Sequence, residues 1–86
     1  MNIISELENF LITEVSVDYG LDKKSVASDE NLISSGIIDS MGILKLVSFM
    51  EKNFGIKINN EDIVPENFQT LNALKEFVEK KVKKII

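Results

Sequence analysis

Residues 35–56, "SGIIDSMGILKLVSFMEKNFGI", decide the fold. A short Gly-containing stretch ends at Asp39-Ser40, and a long apolar-periodic run begins at once. Ile43, Leu46, Val47, Met50 and Phe54 recur at helical spacing, and Leu44, Val47 and Glu51 form a neighbouring row. The spacing predicts a helix from Ser40 to about Asn53. Gly55 stands where a left-handed C-cap belongs, because glycine enters that conformation without a Cβ penalty. Ile56 and Ile58 then alternate around Lys57, as in a short extended link.

Working outward, Ile4, Leu7, Leu11 and Val15 line one stripe with Ile3 and Phe10 beside it, which predicts a first helix over residues 3–16. Asn2 is one candidate cap; Ser5 with Glu8 fits a capping box. Residues 18–39 form a long connection with Gly20, Gly36 and four serines. A connection of this length is uncommon in a small domain and is often functional. Its Tyr19, Leu21, Val26, Leu32, Ile33, Ile37 and Ile38 predict that it packs down. Asn60 followed by Glu61 and Asp62 reads as a helix start with acids in the first turn, and Pro65 reads as its stop. Thr70 caps a last helix carrying Leu71, Leu74, Phe77, Val78 and Val82. The expectation is an all-α fold: a small four-helix bundle of three long helices and one short one, with a long loop between helices one and two.

The chain has 86 residues, enough for one domain (1–86) and too few for two. At 44% hydrophobic it can build a thin core. It has no cysteine and no histidine. Disulfides are therefore excluded, as are the usual zinc, haem and iron–sulfur ligands and the commonest general base. The net charge of −4 lowers the prospect of nucleic-acid binding. The charge is uneven: residues 1–74 hold 12 acids and 5 lysines, residues 75–86 hold 2 acids and 5 lysines. The start has no basic n-region and no apolar run is long enough for a membrane span, so the expectation is a soluble, cytoplasmic protein.

Ser40 is the residue on which chemistry could centre. As a catalytic nucleophile it would need a base, and nothing in the sequence places one beside it. The expectation is that the chain is not an enzyme. An EF-hand starting at Asp29 fails, with Ile33 at the fifth position, Ser34 in place of the sixth-position glycine and Ser40 in place of the twelfth-position glutamate. A phosphate on Ser40 is better suited. The first turn of a helix has backbone N–H groups without intrahelical partners, and the helix dipole favours negative charge there. Gly36 gives the loop freedom to approach, and Gly42 is expected to leave the surface beside the serine uncluttered. The plainer alternative is that Asp-Ser before an apolar helix is only an N-cap.

The stretch "SGIIDSMGILKLVSFMEKNFGIKI" resembles the acyl carrier and peptidyl carrier protein family. The core of that signature is Asp-Ser-Leu at the start of helix two, with Met41 here in the Leu position. Leu32, Leu44, Leu46, Val47, Met50, Phe54, Ile56 and Ile58 match its surroundings, and "TLNALKEFV" resembles the family's last helix. The resemblance implies that a phosphopantetheinyl transferase moves the 4′-phosphopantetheine arm of coenzyme A onto Ser40, with Asp39 helping to place the Mg²⁺ of that reaction. It implies an acyl or aminoacyl group carried as a thioester on the arm's thiol. Implied partners are an acyl- or aminoacyl-activating ligase and a downstream acyltransferase or synthase of fatty-acid, polyketide, nonribosomal-peptide or cell-envelope biosynthesis. "SSGIIDSMG" is more similar to stand-alone carriers of aminoacyl groups, such as D-alanyl carriers.

The family's docking surface is an acidic helix two, and this chain departs from it. Lys45 stands where an acid is common, and Gly42 and Ile43 replace polar positions. Met41, Ile43, Glu51, Glu61 and Asp62 are the expected docking residues, with Phe49 beside them. The basic end "EKKVKKII" reads as a solvated helix terminus that complements its dipole, without stable membrane insertion. The expected state is a monomer. Two rival readings are a helical interaction module without a prosthetic group and a helix-turn-helix DNA binder. The second lacks a basic recognition helix, since helix two has only Lys45 and Lys52.

Overall fold

A computed structural model describes residues 2–15 and 26–85, with side chains as far as Lys83. Helix α1 spans Ile3–Phe10. Asn2, in extended conformation, caps it by accepting from the Ser5 N–H at 3.0 Å. The Ser5–Glu8 capping box does not form; Glu8 instead accepts the Val26 N–H at 2.8 Å and ties the far end of the loop to α1. A π-helical turn, Leu11–Val15, continues the helix. Leu7, Leu11 and Val15 are fully buried, while Ile3, Ile4 and Phe10 pack half-buried around them.

Helix α2 spans Ser40–Phe54 and ends at Gly55 with φ 64°, the left-handed cap expected of that glycine. Its innermost row is Gly42, Leu46 and Met50. Ile43, Val47 and Phe54 lie half-buried on the flank of that row. Leu44 corrects the expected packing: its side chain is 63% exposed. Ile56 and Ile58 are buried and Lys57 is exposed, so the link alternates as predicted without pairing into a strand.

Asn59 precedes a 3₁₀ turn, Asn60–Asp62. Pro65 does not stop a helix. It opens a separate one, α3 (Pro65–Phe68), where proline's missing N–H would have had no partner anyway. Helix α4 spans Leu71–Ile85, and Thr70 Oγ1 accepts the Ala73 N–H at 3.0 Å as its cap. α1 and α2 both pack on α4, and α3 packs on its start. The fold is all-α: four helices, three of them of eight residues or more, and no strand among the described residues.

Of the loop between α1 and α2, Tyr19, Gly20 and Leu21 lie outside the described residues. Residues 26–39 pack down as their apolar content predicts. Val26, Leu32, Ile37 and Ile38 are buried, and Ile33 alone of the described members of the expected set is exposed, at 37%. The Leu32 N–H donates to Gln69 O at 2.7 Å and the Asn72 N–H to Ser28 O at 3.0 Å, so the loop is fastened to the junction of α3 and α4. Asn31 Oδ1 accepts the N–H groups of Ile33 (3.1 Å) and Ser34 (2.9 Å), a local turn that uses the side chain an EF-hand would have given to calcium.

Candidate functional site

The loop delivers two buried isoleucines, then two exposed polar residues. Ile37 and Ile38 are 1% and 2% exposed, and the Ile38 N–H donates to Leu32 O at 3.0 Å. Asp39 and Ser40 follow on the surface. Asp39 is extended (φ −128°, ψ −162°) and is the N-cap of α2: its Oδ1 accepts the Gly42 N–H at 3.0 Å, and its carbonyl accepts the Ile43 N–H at 2.8 Å. Ser40 is the first helical residue and is exposed. Ahead of them Gly36 has φ 82°, which explains the glycine, and open space surrounds its Cα.

Gly42 is placed differently from the expectation. It is buried, and a Cβ built on it would lie 3.2 Å from Ile38 Cβ and 3.4 Å from both Ile38 Cγ2 and Val15 Cγ1. It does not clear the outer surface beside the serine; it lets the inner side of the first turn settle on the loop and on α1.

The expected docking residues separate into two groups. Met41 is 62% exposed, next to Ser40, and Glu61 is exposed on the 3₁₀ turn. Ile43 is half-buried against the core. Glu51 is half-buried and accepts the Ile58 N–H at 2.9 Å. Asp62 accepts the Asn59 N–H at 2.9 Å and pairs with Lys81 Nζ at 2.6 Å. The carboxylates of Glu51 and Asp62 thus fasten this chain to itself. Phe49 is half-buried and stacks on Phe10, ring centroids 4.3 Å apart. An apolar residue near Ser40 that the periodicity misplaced is Leu44, one turn beyond Met41 on the exposed side of α2.

A family model described as "phosphopantetheine attachment site" matches residues 9–78, which takes in the loop, Asp39-Ser40 and all of α2 and α3. The chain belongs to the phosphopantetheine attachment family. It is a carrier protein, non-catalytic itself, whose prosthetic group is 4′-phosphopantetheine. It is similar to the acyl carrier protein of Thermotoga maritima, 29% identical over 79% of this chain and 82% of that one. It is similar to the D-alanyl carrier proteins of Streptococcus sanguinis and Streptococcus thermophilus, each 27% identical over 78% of this chain and 85% of the relative. A phosphopantetheinyl transferase and biosynthetic enzymes are the partners of such carriers.

Proposed function

We propose that Ser40 is the attachment residue, and that the chain carries an acyl or aminoacyl group between a ligase that activates it and an acyltransferase or synthase that takes it. The observation that carries the site assignment is the position of Ser40: exposed, first in a fifteen-residue helix, directly after a capping acid, and inside the matched segment. A phosphodiester there fits its surroundings. The Ser40 and Met41 amides, in the first turn, have no intrahelical acceptor, and the positive end of the helix dipole faces the added charge. When bound, 4′-phosphopantetheine supplies the thiol that this cysteine-free chain lacks, and the thiol holds the cargo as a thioester.

The chain's own contribution to the loading step is a hydroxyl held outward. The transferase supplies the base, and Asp39 stands next to the reacting oxygen, where it can help place the Mg²⁺ of the transfer. Met41, exposed beside Ser40, and the half-buried Ile43 support docking as apolar residues at the start of α2, and Glu61 as an exposed acid. Glu51 and Asp62 serve docking only through whatever face their internal bonds leave outward. Aminoacyl cargo, D-alanine included, is the finer reading, supported by the likeness of "SSGIIDSMG" and by the D-alanyl relatives. No helix among the described residues is long and apolar enough to cross a membrane.

Intact-mass spectrometry tests the assignment. With a broad-range transferase and coenzyme A the protein gains one phosphopantetheine; Ser40→Ala gains none and keeps its helical circular dichroism. An unchanged wild-type mass supports the interaction-module reading instead, and loading of Ser40→Ala on another serine refutes the site. The mass of the protein purified from its source organism reads the cargo directly.

A further inference from the structure

We infer that Gly42 is a positioning residue for the modification of Ser40, acting by letting the first turn of α2 sit on Val15 and Ile38; this rests on Ser40 being the attachment residue. Two features meet at this glycine: close packing on Val15 and Ile38, and the bond to Asp39. The π-helical turn Leu11–Val15 ends in a fully buried valine, and wide turns of this kind are concentrated at functional positions. Val15 Cγ1 lies 3.4 Å from where a Gly42 Cβ would be, and Ile38 closes the other side at 3.2 Å. The Gly42 N–H is also the donor that holds the Asp39 carboxylate, at 3.0 Å. One residue therefore sets the seat of the helix and the orientation of the acid on one side of Ser40.

The glycine is not there for its backbone angles. Gly36 and Gly55 have positive φ, and Gly42 does not. Space is the reason: an alanine here forces its neighbours to give by a few tenths of an ångström. Ile38 is anchored in the core and its N–H is bonded to Leu32 O, so the yielding part is the first turn of α2. Ser40 and Asp39 move with that turn. Phosphoryl transfer depends on alignment of the attacking oxygen, and small misplacements of a reacting group lower the rate steeply.

The test compares wild type, Gly42→Ala and Val78→Ala as substrates of a purified broad-range phosphopantetheinyl transferase with coenzyme A. Initial rates are resolved into kcat and KM for the carrier, and thermal unfolding of each protein is recorded beside them. Gly42→Ala is expected to remain folded, since alanine is the better helix former, and to lose about tenfold in kcat with little change in KM. Val78→Ala, a truncation of a fully buried side chain on α4, weakens the core without touching the 3.2 Å approach to Ile38, so it is expected to melt lower and keep its kcat. A merely structural glycine would show rates that follow thermal stability across the three proteins, with Val78→Ala slowed in step with its lower midpoint; that result overturns the proposal. So does a Gly42→Ala kcat within twofold of wild type. Failure of the wild type itself to gain mass strikes at the attachment reading and not at the glycine.

Discussion

Leu44 and Leu46 differ by two positions and by about half a helix circumference. At about 100° per residue their side chains leave α2 about 200° apart. Leu46 is fully buried and Leu44 is 63% exposed. The apolar periodicity gave the inward stripe as Ile43, Leu46, Val47, Met50 and Phe54; the structure centres it on Gly42, Leu46 and Met50 and leaves Ile43, Val47 and Phe54 half-buried on its flank. The reason lies in one residue: glycine adds nothing to a hydropathy pattern, yet its lack of a side chain is what draws that edge of the helix closest to Val15 and Ile38. The expected consequence is a sharp contrast between two conservative truncations. Leu46→Ala should destabilise by about 2–5 kcal/mol, from lost burial and the cavity left behind. Leu44→Ala should stay within about 0.5 kcal/mol of wild type, as for surface positions generally. Urea denaturation of the two variants measures both, and equal losses would mean that α2 is rotated relative to this description.

At the scale of elements, what the sequence disclosed were the signals that act over one turn. Gly55 and Thr70 occupy the cap positions assigned to them, and Asn2 is the one of the two candidate caps that forms, because a cap needs only its own side chain or its own φ. Pro65 carried the opposite lesson: the same missing N–H suits a helix start as well as a stop, and only the path of the chain decides. Glu51 was legible as an acid on α2 but not as a fastener, since its bond to the Ile58 N–H depends on how the link doubles back beneath the helix. That bond is expected to hold the link in place. Glu51→Ala leaves a half-buried N–H without its acceptor, and the loss should be about 1–3 kcal/mol. Amide hydrogen exchange localises the effect: Ile58 should lose protection well before the centre of α2. Unchanged exchange at Ile58 would show the contact to be incidental.

Over the whole molecule, the bundle, the order of its elements and the packed character of the loop were all foreshadowed by where the apolar residues fall. What stayed hidden was how the loop is held, because hydrogen bonds such as Leu32 N–H to Gln69 O join backbone groups that carry no sequence signature. Those bonds make the junction of α3 and α4 a support for the segment that leads to Asp39 and Ser40. Phe68 is the side chain that fixes the junction: α3 is only four residues long, yet its phenylalanine is fully buried, with its ring centroid 6.0 Å from that of Phe77 on α4. A helix so short has almost no stability of its own, so it persists by burying that ring. Phe68→Ala should cost about 3–5 kcal/mol. Domains hold about 0.05–0.15 kcal/mol per residue, so a chain of 86 residues has little to spare after such a loss. The thermal midpoint should fall by about 12–40 °C, given about 4–8 °C per kcal/mol in domains of this size. Phe68→Leu, which keeps most of the buried volume, should recover the larger part of the drop. If Phe68→Ala instead melts within a few degrees of wild type, α3 is not a structural member of the core, and the loop that presents Ser40 draws its support from α1 and the start of α4.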